Sequence, residues 1–236
     1  MITKIKSNAK TEFKKGIVTF LDVLGWKGLW QSNKEAVNHL KELVRETRKH
    51  ANDIVKTYNE KELAKDVRYK AIKIKVLSIS DTIVFLSETE SIKTLEFHAE
   101  LCAWILEYAL HRRLPLRGAI SYGNFIESDN IMLGPAIDEA AAWHESTDWI
   151  GVILTPSAQM YVRTEKANYI IADYTDIPFK KSTKTLQSCV DWDFNTEDEL
   201  YEIFLEKGPH MPEVAPKYLN TLKFLEWRKN RAKINN

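Results

Sequence analysis

The segment Gly16-Ile17-Val18-Thr19-Phe20-Leu21-Asp22-Val23 is almost continuously apolar until Asp22, near its end. A strand with that pattern belongs inside a sheet: the side chains on both of its faces are apolar, so both faces need cover. With 236 residues the chain is long for one domain and short for two, so one compact domain with a terminal elaboration is expected. Its hydrophobic fraction of 44% and charged fraction of 28% exclude a disordered chain. The 34 Lys and Arg against 33 Asp and Glu leave a net charge of +1, without the basic excess that a nucleic-acid partner calls for.

Two cysteines, Cys102 and Cys189, make no disulfide framework and no zinc-ligand spacing. The Lys-rich stretch from Met1 to Lys15 lacks the apolar core of a signal peptide, and no run of about 18 apolar residues is available to span a membrane. The expectation is a cytoplasmic protein with reduced thiols and no membrane partner.

After Asp22 the chain turns through Leu24-Gly25-Trp26. Ser32 or Asn33 can cap a helix running to about Tyr58, with Val37, Leu40, Val44, Ala51, Ile54 and Val55 on one face. Tyr69–Ser78 and Thr82–Ser87 read as strands joined through Ser78-Ile79-Ser80-Asp81, short enough for a hairpin turn. A helix from Glu90 or Ser91 to about Arg113 buries a stripe that includes His98, expected to be a satisfied core histidine. Leu116–Tyr122 is a strand, Gly123 marks a turn, and Asn124–Ser128 returns. A helix from Ala136 to about Glu145, a strand over Ile150–Leu154, a helix to about Arg163, short strands over Tyr169–Ala172 and Thr183–Val190, and helices over Glu197–Glu206 and Pro216–Lys233 follow.

The order β-α-β-β-α-β is the ferredoxin-like split pattern, an α+β fold with a mainly antiparallel sheet and helices on one side of it. The expected organisation is an N-terminal extension over residues 1–15, the main domain over 16–193, and a helical C-terminal elaboration over 194–236 packed on it.

In this pattern the first strand neighbours the hairpin, so Asp22 and Asp81 meet at one edge of the sheet. Two carboxylates brought together repel unless a cation lies between them, and a divalent cation that keeps phosphate ligands is the usual solution. The backbone carbonyl of Val23 can add a ligand, and two metals bridged by two carboxylates can activate a hydroxyl and hold a triphosphate. On this argument, removing either aspartate leaves the stability of the metal-free protein unchanged or raises it.

Phe20-Leu21-Asp22-Val23-Leu24-Gly25-Trp26 resembles the F-x-D-[IV]-x-G-[FW] opening of class III nucleotide cyclases. Ser78-Ile79-Ser80-Asp81-Thr82-Ile83-Val84 resembles their second metal-aspartate hairpin. Leu116-Arg117-Gly118-Ala119-Ile120-Ser121-Tyr122-Gly123 is similar to their R-x-[GA]-I-x-x-G strand, and Gly134-Pro135-Ala136-Ile137-Asp138-Glu139-Ala140-Ala141-Ala142 to the helix that follows. These blocks stand in family order over residues 16–160, and in detail they look most like the bacterial pyrimidine cyclases of Pycsar antiphage defence.

The resemblance implies a nucleoside-triphosphate cyclase that makes cyclic UMP or cyclic CMP and pyrophosphate, with two Mn²⁺ or Mg²⁺ ions on Asp22, Asp81 and the Val23 carbonyl. It implies a triphosphate cradle at Leu24, Gly25 and Trp26, substrate contacts at Phe20, Leu77 and Ile131, phosphate pairing by Arg117, and a catalytic position at Asp138. UTP or CTP is the implied substrate, because the base-recognising positions of adenylate cyclases fall on the apolar Leu77 and Ile131. The implied assembly is a head-to-tail homodimer with composite sites.

The family's phosphate-binding lysine falls near Lys180, Lys181 or Lys184, and its transition-state arginine falls on Ala142. Ala142 supports the alternative, a catalytically weak or inactive cyclase-like module acting as a nucleotide-binding sensor or scaffold. His144, beside Glu145, is the one histidine near these blocks. Trp26 and Trp30 can stack on a base or fill an interface, with core packing as the default.

Overall fold

The computed structural model describes residues 12–26, 34–66, 70–128, 131–165, 170–180, 186–194, 197–207 and 212–234. The expected cap at Ser32 or Asn33, together with Trp30, Tyr69, Lys181 and Lys184, lies outside the described residues.

The elements are β1 (Lys14–Val23), α1 (Lys34–Lys65), β2 (Lys75–Ile79), β3 (Thr82–Ser87), α2 (Ile92–Leu110), β4 (Leu116–Ser128) and β5 (Ile131–Leu133). They continue with α3 (Pro135–Trp143), β6 (Gly151–Leu154), α4 (Pro156–Glu165), β7 (Ile171–Asp173), β8 (Ser188–Val190), α5 (Glu197–Lys207) and α6 (Ala215–Ile234). The sheet runs β2-β3-β1-β4-β6-β8-β7, with β5 paired to β4 off this path. Its first four strands stand in the order that the split pattern requires. Every pairing is antiparallel except β4 with β6. The molecule is α+β with an open, mostly antiparallel sheet, and among the described residues no helix is long and apolar enough to cross a membrane.

The apolar first strand lies between β3 and β4, and its side chains alternate between two cores. Ile17, Leu21 and Val23 join the larger core with α1 and α2, built on Leu43, Leu95, Leu101 and Ile105. Val18 and Phe20 face the other way, onto Val84, Leu86, Ala136, Ile137 and Ala140. α3 therefore covers the sheet face opposite α1 and α2, and the expectation of helices on one side is corrected. A strand buried on both faces needs cover on both faces.

Two boundary expectations also change. Gly123 is not a turn: β4 runs through it, with Gly123 opposite Gly16 of β1. A Cβ on Gly16 would stand 1.9 Å from the Ser87 carbonyl oxygen, so that glycine marks a close strand approach. β2 begins at Lys75 rather than Tyr69, because the backbone at Ile72 is held by a side chain and not by a ladder. Asn59 of α1 donates to the Ile72 carbonyl at 2.8 Å and accepts from its N–H at 2.9 Å.

The C-terminal helix packs Phe224 edge-on against Trp149 and Tyr174, with ring centroids 5.0 and 5.3 Å away. Thr221 Oγ1 accepts from the Ile150 N–H at 2.8 Å, and the Asn220 amide donates to the Asp148 carbonyl at 2.9 Å. α6 thereby braces the loop that leads into β6.

His98 is fully buried under β1, in hydrogen-bond contact with Thr19 Oγ1 (2.8 Å) and Ser87 Oγ (2.9 Å). Burial lowers its pKa from 6.5 to about 3. The unfolded chain protonates this residue below about pH 6.5, while the folded chain resists, so its stabilising contribution is present above that pH and lost as pH falls toward 3. Urea unfolding of the wild type should lose about 2 kcal/mol from this group between pH 7 and 5. His98→Gln should start less stable and lose less over the same window. Parallel pH profiles for the two proteins would show that His98 is not held neutral.

Candidate active site

Asp22 lies opposite Thr82 on β3 and opposite Arg117 on β4. Directly opposed residues of an antiparallel pair project from the same face, with Cβ atoms about 5 Å apart, so strand register alone brings Asp22 and Arg117 together. Arg117 Nη2 donates to Asp22 Oδ2 at 3.3 Å, and Nη1 donates to the Thr147 carbonyl at 3.1 Å. Both side chains are almost fully buried. Gly118 makes the approach possible, since a Cβ there would stand 2.3 Å from the Phe20 carbonyl oxygen.

Asp81 occupies the β2–β3 turn beside Ser80, which takes a left-handed φ of 56°. The Asp81 carbonyl accepts from the Val23 N–H at 3.4 Å, which ties the turn to the end of β1. The turn that carries Asp81 thus lies beside the end of β1 that carries Asp22, at one end of the sheet's interior strands rather than along an edge strand. Burial is the largest influence on Asp22 and holds its carboxyl above the usual carboxylate range. Arg117 opposes this shift, Asp81 and Glu145 add to it, and His144 opposes it. Repulsion from Asp81, the effect that the sequence argument relied on, is therefore smaller than desolvation.

The far end of α3 delivers a second group of side chains. His144 Nδ1 is 2.6 Å from the Ala141 carbonyl, and its ring tilts against Phe20 with centroids 5.7 Å apart. Glu145 Oε1 is 3.8 Å from His144 Nε2, and Glu145 Oε2 is 3.8 Å from Arg117 Nη2. One ligand atom each from Asp22, His144 and Glu145 lies within 4.8 Å of the others. Lys180 borders this group. Its partial burial, and then Arg117, lower its pKa, while Asp148 and Glu145 raise it. Its N–H donates to the Ser146 carbonyl at 2.9 Å.

The remaining sequence candidates divide by location. Leu24 and Trp26 are buried, and Gly25 between them is exposed with φ 74°, a conformation that favours glycine. The Val23 carbonyl accepts from the Trp26 N–H at 3.4 Å, and the Leu24 N–H donates to the Pro115 carbonyl at 2.8 Å. Leu77 is opposite Val84, which is opposite Phe20, so it sits two strands from β1 on the α3 face. Asp138 stands exposed in the first turn of α3, about one and a half turns before His144.

Ile131, 58% exposed, pairs with Ser128 at the other end of β4 from Arg117, roughly 35 Å along the strand. One chain does not bring Ile131 to Asp22. A cavity of about 770 Å³ opens between α1 and the β2–β3 turn, lined by Trp26, Leu40, Lys41, Arg45, Arg48 and Ser80 among others; Asp22 does not line it.

Sequence reasoning did not foresee Glu145 or the Thr147 carbonyl as neighbours of Arg117. The available signal was the His144-Glu145 pair at the end of a helix. What carries that pair to Asp22 is the seating of α3 on the opposite face together with the parallel β4–β6 pairing.

No family model matches the chain, and no curated protein matches it. Among solved structures it is similar to the catalytic core of a rhodopsin-guanylyl cyclase with converted specificity in complex with ATPαS. That match has 11% identity, covers 75% of this chain and 94% of that chain, and has a TM-score of 0.45. It is also similar to an adenylate/guanylate cyclase/hydrolase from Silicibacter pomeroyi, with 12% identity over 76% of this chain and 96% of that chain and a TM-score of 0.41. Likenesses this distant carry no chemistry across to this chain.

Asp22→Asn should leave the melting temperature of the metal-free protein unchanged or raise it, because it removes a disfavoured buried charge while the amide oxygen still accepts from Arg117. Arg117→Leu should cost about 3–5 kcal/mol at pH 7, the penalty for leaving a buried carboxylate unpaired. That cost should shrink toward pH 5, since a carboxyl with a raised folded-state pKa regains stability as it takes up its proton. Thermal melts of both variants at pH 7 and 5 check this, and equal losses at pH 7 would overturn it.

Proposed function

We propose that this chain is a nucleoside-triphosphate cyclase that forms a 3′,5′-cyclic nucleotide and pyrophosphate. The observation that carries the reading is the hydrogen bond from the Val23 N–H to the Asp81 carbonyl, which sets the Asp81 turn beside the strand end of Asp22, on the two motifs that resemble the metal-binding blocks of class III cyclases. In the reaction, the 3′-hydroxyl gives up its proton to solvent, its oxygen forms a bond to the α-phosphorus, the bond from that phosphorus to the β-phosphate bridging oxygen breaks, and pyrophosphate leaves with the electron pair.

The donor set suits a divalent cation: Asp22 is a carboxylate whose proton affinity burial and then Asp81 raise, and the Val23 carbonyl follows it in the chain. Two Mn²⁺ or Mg²⁺ ions bound there would make the 3′-hydroxyl more acidic and neutralise triphosphate charge. The chain's own residues orient and charge the site. Arg117 supplies a fixed guanidinium whose Nε is buried with no hydrogen-bond partner among the described residues, a donor that a phosphate oxygen satisfies. Lys180 adds a second cation near Arg117, on the side where Ala142, at the family's arginine position, offers none. In the turn Leu24-Gly25-Trp26 the Leu24 and Trp26 amides already donate to the Pro115 and Val23 carbonyls, so the triphosphate cradle falls to Gly25; Phe20 and Leu77 form an apolar wall, and Asp138 takes the place of the family's asparagine.

The finer reading is a pyrimidine cyclase, using UTP or CTP, in antiphage signalling. It rests on the resemblance of the motifs and on the apolar Leu77 and Ile131. The distance from Ile131 to Asp22 within one chain favours a composite site in a homodimer, where Ile131 of one copy serves the aspartates of another. The exposed Ile79, Ile131 and Leu133 suit such an interface.

A second reading, a non-catalytic nucleotide-binding module, is favoured by the Arg117–Asp22 ion pair together with Ala142. One experiment separates the two. Protein incubated with each of the four nucleoside triphosphates and Mn²⁺ should yield cyclic UMP or cyclic CMP by mass spectrometry. Asp22→Asn and Asp81→Asn should each lower the yield by about a hundredfold or more, the scale of a lost transition-state electrostatic partner. Nucleotide that raises the melting temperature without any cyclic product, in vitro or in extracts of phage-infected cells, decides for the module. Sedimentation that shows only monomer at micromolar concentration, with and without nucleotide, removes the composite site.

A further inference from the structure

We infer that Asp22, His144 and Glu145 together chelate a first-row transition-metal dication, so that an imidazole nitrogen, and not carboxylates alone, holds one metal of this site. The inference rests on the reading of Asp22 as a metal ligand and adds a nitrogen donor to it.

Three observations carry it. The candidate donor atoms of the three side chains already lie within 4.8 Å of one another, close enough for side-chain rotation to gather them around one ion. The imidazole is also set up for ligation. Its Nδ1 is 2.6 Å from the Ala141 carbonyl, an acceptor only, so Nδ1 donates there and Nε2 is the ring nitrogen that faces Glu145, 3.8 Å away. A backbone carbonyl on the far nitrogen is the arrangement that orients metal-bound histidines. Finally, the ring is held in place, with its side chain 14% exposed and its plane tilted against Phe20.

The local charge agrees. Asp22, Glu145 and Asp81 against Arg117 and Lys180 leave one net negative charge. Arg117 engages Asp22 through Oδ2, so Oδ1 remains for an ion. A nitrogen donor in the set favours Mn²⁺ and the later first-row dications over Mg²⁺, which takes oxygen ligands and keeps its waters.

The test uses the full chain with Mn²⁺ alone and no nucleotide. Pulsed EPR should show ¹⁴N modulation from a directly bound imidazole. Excess Mg²⁺ should displace that Mn²⁺ poorly. His144→Ala should lose the modulation and weaken Mn²⁺ binding by about tenfold or more, with His111→Ala as the control that keeps both. Wild-type Mn²⁺ without ¹⁴N modulation overturns the inference, and this readout needs no variant to fold. Mn²⁺ bound as tightly by a folded His144→Ala also overturns it. If ¹⁴N modulation is absent while cyclic product still forms, only this inference fails. If Mn²⁺ is nitrogen-ligated and no triphosphate is ever cyclised, this site stands and the cyclase reading fails.

Discussion

Asp22 is a carboxylate near the end of a strand that is buried from Gly16 onward. Burial alone would expel its charge. Arg117, directly opposite on β4, supplies the counter-charge. The pair does not cancel that cost, since the carboxyl still sits above its usual range. A site left in that condition is responsive: a cation or a phosphate that enters changes the balance between Asp22, Arg117 and their neighbours more than it would at an exposed surface.

The rest of the molecule keeps that pair in register. Gly118 lets β4 approach β1, and the hydrogen bond from Val23 to the Asp81 carbonyl pins the hairpin turn to the strand end. The Thr147 carbonyl takes the second Arg117 nitrogen. Thr147 in turn belongs to a loop braced by Asn220 and Thr221 of the C-terminal helix. A helix remote in sequence therefore supports the position of the guanidinium through side-chain hydrogen bonds to the loop backbone, with Phe224, Trp149 and Tyr174 as the apolar anchor.

Much of this was legible in the sequence. The run from Gly16 to Val23 implied a central strand, and the β-α-β-β-α-β order implied β1 between β3 and β4, which puts Asp22 near the Ser80-Asp81 turn. His98 on the buried stripe of α2 is a satisfied core histidine, because Thr19 and Ser87 stand where its two nitrogens need partners. Other features were not legible. Gly123 has the local composition of a turn, yet it is an in-strand glycine, because its role is set by the opposing strand. Residues 70–74 read as strand by alternation, but Asn59 holds the backbone at Ile72. Periodicity reports which residues are buried and not what satisfies their backbone.

What the sequence determined by itself was the set of elements, their order, and the two acidic positions that this order brings together, since these follow from hydrophobic period and connection rules that act locally. The tertiary structure decided the company those aspartates keep. The β1–β4 register sets Arg117 opposite Asp22; the face on which α3 packs, the β4–β6 pairing and the seating of α6 bring His144, Glu145 and Lys180 to the same place. None of these juxtapositions has a local signature, because each depends on cover found for the second face of a buried strand. The same dependence separates Ile131 from Asp22 by most of the length of β4, although the sequence motifs group the two in one site.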